Sequence, residues 1–443
     1  MFPDDRSRSA TLFERARAVM PGANTRHMVT FAPYVIYARE GRGCRVTDVD
    51  GNSYLDWVNN FSANIHGYGF EPVVEALKRQ AERMTCCILP EEKEIELAEI
   101  IVDRWRGVEQ VRFANSGTEA AMVALKAARA ITGRSKIAKT EGGYHGQYDL
   151  VEASFLPNER NWGPKERPAA PPLSHGTPQS LLDQAVIIPF NNIEVSLARL
   201  EEEKDALAAV IIDPIPARLG FVEADQSWLK ALREFCTRSG VPLIFDEVFC
   251  GRASFHGAQG RLGVIPDATV LGKIIGGGMP IGAVGGLRSF MAIFDNLAGP
   301  LKVSHSGTFT ANPMSMAAGV AAMRALTPET FARLEADGER LRAGITEVMA
   351  DCGLDMRING VASMSSLQFF QAPARDYREF HQRSGPNYLE RMRGLHRLML
   401  NAGILMATRG LMVGSTAMTA EDLDETINRA RAAFGRFVEC EAA

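Results

Sequence analysis

The chain has 443 residues, of which 46% are hydrophobic and 23% are charged, and its formal net charge is −4. This length exceeds one ordinary core, so two or three lobes are expected. The slightly negative charge provides no broad basic face, which disfavours a nucleic-acid partner. No apolar run reaches the roughly 18 residues that span a bilayer, and the start MFPDDRSRSATLF is too polar for a signal peptide. We therefore predict a cytoplasmic protein without a membrane partner.

Cysteine usage agrees with that compartment. The seven cysteines are Cys44, Cys86, Cys87, Cys236, Cys250, Cys352 and Cys440. An odd number at scattered positions suits reduced thiols in a reducing compartment. Cys86 and Cys87 are adjacent, but no further Cys or His stands nearby at ligand spacing, so no metal site is predicted.

The N-terminal region predicts an arm followed by a hairpin. The stretch TLFERARAVMPGANTRH indicates a short helix that ends at Pro21-Gly22, and then a loop that carries Arg26. In CRVTDVDGNSYLDWV, two alternating runs flank Asp50-Gly51, which is a strong hairpin signal. A helical pattern follows from Pro72 to about Arg106.

The middle of the chain predicts a doubly wound α/β domain. Strand and helix patterns alternate through VEQVRFANSGTEAAMVALKAARAI, ALAAVIIDPI, SWLKALREFCTRSG, VPLIFDEV and ATVLGKII. Such alternation implies parallel strands with helices on both faces of the sheet. Between Phe155 and His175 the sequence is rich in proline and charge, which predicts a mobile surface loop or flap near the mouth of the active site.

The C-terminal part predicts a smaller α+β lobe. A helix of small residues, NPMSMAAGVAAMRAL, precedes the amphipathic helix TPETFARLEADGERLRAGITEVMADCG, and strand-like and helical segments follow. We expect this lobe to pack with the N-terminal arm. The predicted division is 1–70 for the N-terminal part of the small domain, 71–314 for the large domain and 315–443 for the C-terminal part of the small domain.

Lys273 carries the clearest chemical signal. It stands between a strand-like run and a triple glycine in VLGKIIGGGMPIGAVGG. A lysine at a strand end can lose enough solvent to keep its amine nucleophilic, and glycines leave room for a flat cofactor. The commonest alternative is a surface lysine whose ammonium reaches solvent.

Asp246 favours the cofactor interpretation of Lys273. It ends the apolar run VPLIFDEV, and a buried aspartate there needs a cationic partner. The protonated ring nitrogen of pyridoxal 5′-phosphate (PLP) is such a partner and makes the ring an electron sink. We therefore predict that Lys273 forms a Schiff base with PLP.

Three further turns predict the rest of the cofactor site. Asn115-Ser116-Gly117-Thr118-Glu119 stands at a strand-to-helix turn, where free N–H groups and the helix dipole bind phosphate, although Ser and Thr are also ordinary N-caps. The ring of Tyr144, in Tyr144-His145-Gly146, can cover a planar cofactor or simply pack in a turn. Thr308, in HSGTFTANP, is a second candidate phosphate donor.

In their joint order, these motifs resemble the class III aminotransferases of PLP fold-type I. The matching stretches are DVDGNSYLD, NSGTEA, YHG, IFDEV, LGKIIGGGMPIGAVGG and GTFTANP, and the resemblance covers nearly the whole chain. It implies a large domain with a mostly parallel sheet flanked by helices, a smaller α+β domain from the two ends of the chain, and a homodimer with active sites at the subunit interface. By this resemblance, Lys273 forms the Schiff base, Asp246 binds the pyridine nitrogen, and His145 makes a further contact with the cofactor. Tyr144 and Val248 pack on the two faces of the ring. The cofactor phosphate is bound by Ser116, Gly117 and Thr118, and Thr308 binds the phosphate of the neighbouring subunit.

Two segments distinguish this chain from the aminomutases of the branch that it resembles. The stretch LFERARAVMPGANTR is similar to the branch that contains glutamate-1-semialdehyde aminomutase and the β-amino acid aminotransferases. Aminomutases carry an SWGP stretch where this chain has Asn60-Phe61-Ser62-Ala63, and an acid-Pro-x-x-Gly-Asn segment where it has residues 213–218. These departures favour an aminotransferase. Arg218 is a further candidate substrate-binding residue, and its presence leaves open which group contacts the phenolic oxygen of the cofactor. The alternative is an outward-pointing loop arginine.

Two arginines are candidate carboxylate clamps for the substrate. Bidentate guanidinium pairing is the usual means of fixing a planar carboxylate, although any single arginine is by default a solvated surface charge. The resemblance favours Arg26 and Arg409, because related β-amino acid aminotransferases place substrate-binding arginines in matching segments. Phe61 is expected to shape an apolar side of the pocket.

The predicted function is a PLP-dependent aminotransferase with a ping-pong mechanism. Its donor is a carboxylate-bearing amine, with a β-amino acid favoured, and its acceptor is an α-keto acid such as 2-oxoglutarate or pyruvate. One alternative is an aminomutase or racemase that returns the nitrogen to the same molecule. A second alternative is a protein of the PLP fold that binds a ligand without catalysis.

Overall fold

The computed structural model describes residues 2–29 and 31–442, which form two compact units. The first unit comprises the chain up to Glu71, Ala332–Pro373 and the chain from Gln382 onward. The second unit comprises Pro72–Phe331 and Ala374–His381. It thus extends to Phe331 rather than to the expected 314, because the helix Pro313–Ala325 packs on other elements of this unit.

Strands and helices are numbered in chain order. Strands β1 to β14 are Ala38–Arg42, Arg45–Asp48, Ser53–Asp56, Gln110–Ala114, Lys136–Thr140, Ala185–Ile188, Leu207–Ile212, Leu243–Asp246, Ala268–Gly272, Gly282–Gly286, Arg357–Val361, Met364–Gln368, Ile404–Leu405 and Leu411–Val413. Helices α1 to α15 are Arg8–Arg17, Glu71–Arg83, Glu92–Arg104, Gly117–Thr132, Asp149–Glu152, Gln179–Leu182, Ile193–Glu203, Gln226–Ser239, Gly257–Leu262, Arg288–Met291, Pro313–Ala325, Pro328–Asp351, Tyr377–Ser384, Tyr388–Asn401 and Ala420–Ala442. Across the described residues, no helix is long and apolar enough to cross a membrane.

The second unit is built on one large sheet. Its strand order is β4-β10-β9-β8-β7-β5-β6. Strand β10 runs antiparallel to both β4 and β9, and the remaining neighbours pair in parallel. Every residue of β7, β8 and β9 is buried, which means that both faces of the sheet are covered. The predicted mostly parallel sheet flanked by helices is confirmed.

The direction of the strands brings four turns together. Strands β5, β7, β8 and β9 run parallel, so their carboxyl ends meet at one edge of the sheet. Ligands of open α/β sheets bind in the crevice outside this edge. The residues that stand at or just after these four strand ends are Glu141, Asp213, Asp246 and Lys273.

The first unit joins the two ends of the chain. Its sheets have the orders β1-β2-β3-β13 and β11-β12-β14. Strands β2 and β3 are antiparallel, and Gly51 between them has φ of 90°, so the predicted hairpin is confirmed. The indole N–H of Trp57 donates to Thr426 Oγ1 of α15 at 3.0 Å. The N-terminal hairpin segment is therefore held by the C-terminal helix.

Candidate active site

Asp246 lies at the carboxyl end of β8 with only 6% of its surface exposed. Its Oδ1 accepts a hydrogen bond from the Val248 N–H at 3.0 Å, and its Oδ2 lies 2.8 Å from Nδ1 of His145. Because an ionised carboxylate can only accept, the Nδ1–H of His145 donates to it. Burial lowers the pKa of His145, which keeps the imidazole neutral. The carboxylate is thus held in one orientation by two donors.

Lys273 directly follows β9 in a backbone conformation that a non-glycine residue rarely adopts. Its φ is 53°, and it begins a short turn over Lys273–Gly276. Left-handed backbone at such a residue costs about 1–3 kcal/mol, and it clusters at functional sites. The ammonium Nζ lies 3.9 Å from the centre of the Phe249 ring. Burial lowers the pKa of Lys273 to about 8, against the opposing charges of Asp246 and Asp213. Lys273 therefore has the lowered pKa that a nucleophilic amine needs.

Two residues at this edge were not singled out from the sequence. Asp213 follows β7, and burial together with the charge of Asp246 raises the pKa of its carboxyl to about 7. Phe249 lies under the Lys273 ammonium. Asp213 could have been found, since it follows an apolar strand-like run as closely as Asp246 does. Phe249 carried no such signal, because its role depends on the fold of the turn after β8.

The start of α4 forms a small cradle. Ser116 caps the helix, and its Oγ accepts from the Glu119 N–H at 3.2 Å. A Cβ at Gly117 would lie 2.9 Å from Cγ2 of Val248, so glycine is what allows Val248 to pack against the first turn. The first N–H groups of a helix have no partner inside it and carry its positive dipole end. The predicted phosphate turn and Val248 are therefore brought together.

Thr118 links this cradle to the turn after β5. Its Oγ1 accepts from the Gln147 N–H at 3.2 Å. Gly146 has φ of 102°, and a Cβ there would approach Thr118 Oγ1 to 2.6 Å. Only a glycine fits this close approach. The Tyr144-His145-Gly146 turn is thus seated directly on the start of α4.

Tyr144 and Arg218 both pack against Phe155. The ring centres of Tyr144 and Phe155 are 5.0 Å apart, and the guanidinium carbon of Arg218 lies 4.9 Å from the Phe155 ring centre. Burial, with the charge of Asp246, raises the pKa of Tyr144. Arg218 is half-buried in the turn Ala217–Leu219. Its role, as a substrate-binding residue or as an outward-pointing loop arginine, stays a prediction.

The loop from Phe155 to His175 is anchored at Pro157 and Trp162, and its mobility stays a prediction. The hydroxyl of Tyr377 donates to the carbonyl of Pro157 at 3.0 Å. The guanidinium of Arg378 donates to the carbonyl of Trp162 at 2.8 Å and lies over its ring at 4.9 Å. The buried Trp162 side chain adds apolar packing. A segment distant in sequence therefore pins this loop within the second unit.

The predicted substrate residues lie in the first unit. Nη1 of Arg26 donates to Oδ1 of Asn60 at 2.6 Å. Asn60 and Phe61 belong to residues 59–62, four successive non-glycine residues with φ between 48° and 75°. Asn59 secures this strained turn from within a buried position, donating its side-chain N–H to the carbonyl of Val413. The observed backbone strain is of the kind that marks functional sites.

Arg409 and Thr308 complete the predicted set. Arg409 is half-buried in the connection between β13 and β14 of the first unit. Thr308 is exposed in the turn that precedes α11 of the second unit. The second unit thus holds the predicted cofactor residues, and the first unit holds Arg26, Phe61 and Arg409.

A comparison with known protein families agrees with this arrangement. The family model described as "Aminotransferase class-III" matches residues 28–433. The chain belongs to the class-III aminotransferases. It is a PLP-dependent transaminase by family and by its structural neighbours.

Individual relatives carry two kinds of name. The glutamate-1-semialdehyde 2,1-aminomutase of Methanosphaera stadtmanae is 34% identical over 424 residues, with 95% of this chain and 96% of the relative covered. An omega-transaminase from Sphaerobacter thermophilus is 42% identical, with coverage of 98% and 99% and a TM-score of 0.93. A transaminase with PLP bound is 40% identical, with coverage of 98% and 99% and a TM-score of 0.90. A β-phenylalanine aminotransferase from Variovorax paradoxus is 34% identical, with coverage of 98% and 94% and a TM-score of 0.86.

The residues of the second unit fit PLP. Gly117 presents no side chain between Ser116 and Thr118 at the start of α4, and the carboxylate of Glu119 in the same turn is engaged by the Asn115 N–H at 2.8 Å. Backbone N–H groups and two hydroxyls therefore stand where a phosphate would bind. Asp246 is a buried carboxylate whose side-chain partner is the neutral His145, which leaves its negative charge to balance a pyridinium nitrogen. Within the described residues, the second ring nitrogen of His145 is buried and has no hydrogen-bond partner.

Proposed function

We propose that this transaminase takes its amino group from a carboxylate-bearing amine, with a β-amino acid as the preferred donor. The acceptor is an α-keto acid such as 2-oxoglutarate or pyruvate, and the two half-reactions follow one another in ping-pong order. The observation that carries the donor class is the hydrogen bond from Arg26 to Asn60 on the strained turn 59–62. It holds an exposed guanidinium by one nitrogen and leaves other N–H groups for a carboxylate.

In this proposal Lys273 and Asp246 carry the chemistry. PLP, when bound, withdraws electrons from the substrate carbon and so makes its proton acidic. The Nζ of Lys273 takes that proton and returns one later, as a base whose pKa lies near the working pH. Asp246 stabilises positive charge on the ring nitrogen, and His145 keeps the carboxylate in place. Ser116, Gly117 and Thr118 bind the phosphate, and Tyr144 and Val248 cover the ring faces.

In this proposal, two arginines bind the carboxylates of two different substrates. A β-amino acid and an α-keto acid carry their carboxylates at different distances from the reacting nitrogen, and misplacement by ~1 Å can cost about 10²-fold in rate. Arg26 takes the carboxylate of the β-amino donor, and Arg409 takes the α-carboxylate of the acceptor. Phe61, half-buried beside Asn60, lines the apolar side of the pocket. The resemblance to a β-phenylalanine aminotransferase, a protein named for a β-amino acid, supports this assignment.

An aminomutase is the principal rival, because similar relatives carry that name. Against it stand the two departures at residues 60–63 and 213–218. A racemase would also return the nitrogen to the same molecule. A non-catalytic binding protein is disfavoured, because the chain belongs to the class-III aminotransferases and its structural neighbours are transaminases.

We also propose that the active unit is a homodimer with shared sites. The second unit exposes apolar side chains at Ile88, which is 99% exposed, and at Leu89 and Phe309. Asn312 donates its side-chain N–H to the carbonyl of Thr85 at 3.1 Å, which holds these two segments side by side. A second copy of the chain would cover such a patch. Thr308, exposed beside Phe309, would then bind the neighbour's phosphate. A cytoplasmic location is proposed because all seven cysteines are free thiols.

The donor class can be tested with two variants and one control. Arg26→Ala should raise KM for β-amino donors, and Arg409→Ala should raise KM for 2-oxoglutarate. Each should lose charge-assisted hydrogen bonds of roughly 1.5–3 kcal/mol, or about 10- to 100-fold in kcat/KM. Arg15→Ala, which removes an exposed arginine of α1, should change neither. Equal effects of both variants on both substrates would refute the division, and faster turnover of simple amines than of β-amino acids would refute the donor class.

A further inference from the structure

Lys139 is a buried charged residue to which the proposed chemistry assigns no task. It lies in β5 with 1% of its surface exposed. Its Nζ donates to the carbonyl of Gly143 at 2.9 Å and to the carbonyl of Ala153 at 2.7 Å. Both acceptors stand in the connection that follows the strand, one on each side of Tyr144 and His145.

Burial of this ammonium costs free energy, because it removes a charged group from water. Desolvation lowers the pKa of Lys139 to about 7, with only partial compensation from the charge of Glu141. The carboxylate of Glu141 is itself engaged by Arg378 at 2.9 Å. An apolar side chain of similar volume in such a position is often as stable or more stable. A buried charge that is kept despite this cost is a candidate for function.

The two hydrogen bonds act on the turn that carries His145. Gly143 stands two residues before His145, and Ala153 caps the end of α5 beyond it. The backbone bond from Gly142 N–H to the Ser154 carbonyl, at 2.8 Å, closes the same segment. The Lys139 side chain therefore adds two hydrogen bonds that tie Gly143 and Ala153 together across this segment.

We propose that Lys139 is a positioning residue that holds His145 against Asp246 through the carbonyls of Gly143 and Ala153. Its charge acts in the same direction. Burial lowers the pKa of His145, Asp246 opposes that effect, and the nearby charge of Lys139 adds to the lowering. A neutral His145 keeps its Nδ1 proton for Asp246 and leaves that carboxylate free to balance the ring nitrogen. This role rests on the PLP site shared by the family and is independent of which amine is the donor.

The test replaces Lys139 with Met and compares it with Lys136→Met in the PLP-bound protein. Lys136 begins the same strand and pairs with Glu203 at 2.6 Å, so its loss removes a lysine ion pair away from the turn. For Lys139→Met we expect kcat of the donor half-reaction to fall about tenfold or more with KM nearly unchanged, as for misplaced groups generally. The visible band of bound PLP should also titrate at a different pH. Lys136→Met should match the unmodified protein in both readouts.

Three results would overturn the proposal. The first is a folded Lys139→Met protein whose kcat and titration of the visible band are unchanged. The second is an equal loss of kcat in Lys139→Met and Lys136→Met. The third is a Lys139→Met protein that loses thermal stability but keeps its kcat. If Lys139→Met does not fold, Lys139→Gln, which keeps N–H donors but removes the charge, serves in its place with the same expectations at reduced size. Failure of both Lys139 variants to fold, with Lys136→Met folded, would also contradict the proposal, because Lys139 would then serve the stability of the fold rather than the position of His145.

Discussion

The lowered pKa of Lys273 makes a quantitative prediction for the rate at which the PLP-free protein takes up its cofactor. Only the neutral amine adds to the aldehyde, so the rate follows the neutral fraction of Lys273. With a pKa of about 8, about 9% of the amine is neutral at pH 7, against about 0.04% for an ordinary lysine with a pKa of about 10.4. The protein should therefore react about 200-fold faster at pH 7 than its amine would at an ordinary pKa.

The direction with pH follows from the same value. A lowered pKa means that the proton is lost at lower pH, so the rate should rise about tenfold per pH unit below pH 7 and level off above about pH 8. The assay mixes PLP-free protein with excess PLP between pH 6 and 10 and follows the visible band. A simple amine measured in parallel corrects for the ionisation of PLP itself.

A variant sharpens this test. The carboxylates of Asp246 and Asp213 both raise the pKa of Lys273. Asp213→Asn should therefore move the levelling-off to lower pH without changing the slope below it. Lys273→Ala lacks the amine, so its visible band should show no time-dependent increase from reaction with PLP at any pH. A rate that keeps rising tenfold per unit up to pH 10 would refute the desolvated amine.

Two further outcomes are expected at the same site. Asp246→Asn should still bind PLP, but the single-turnover rate of its donor half-reaction should fall about 10²-fold or more, because an amide cannot balance a pyridinium charge. An unchanged rate would refute the role of Asp246. Mixing Lys273→Ala subunits with Thr308→Ala subunits should restore about a quarter of the unmodified activity, because each mixed dimer regains one intact site. No recovery, with subunit exchange confirmed, would count against shared sites.

Local patterns were sufficient to predict that Asp246 and Lys273 lie at neighbouring strand ends. Asp246 ends an apolar run and Lys273 separates another run from a triple glycine, and the parallel strands β8 and β9 deliver both to one edge of the sheet. The hairpin around Gly51 and the cap at Ser116 likewise depend on a few neighbouring residues. The sequence therefore predicts the position of a residue well when that position depends on the residues next to it in the chain.

Contacts between distant segments explain what the sequence did not predict. The 155–175 loop is pinned by Arg378, which lies 216 residues beyond Trp162 in the chain. Lys139 stands close to polar neighbours in the sequence, and only the return of the chain at Ala153 reveals its burial. The division at 314 failed for the same reason, since α11 packs on α3 and on the turn after Lys273. No periodic pattern encodes such pairings.

The fate of the donor nitrogen tests the central claim most directly. The PLP-bound protein is given a ¹⁵N-labelled β-amino acid, with and without 2-oxoglutarate or pyruvate, and the products are followed by mass spectrometry. We expect labelled glutamate or alanine together with one equivalent of the 3-oxo acid, or of the ketone that it gives by loss of CO2, and no more than one turnover per site when the acceptor is left out. Continued turnover without an acceptor, with the label returned to an isomer of the donor, would contradict the account and favour an aminomutase or racemase.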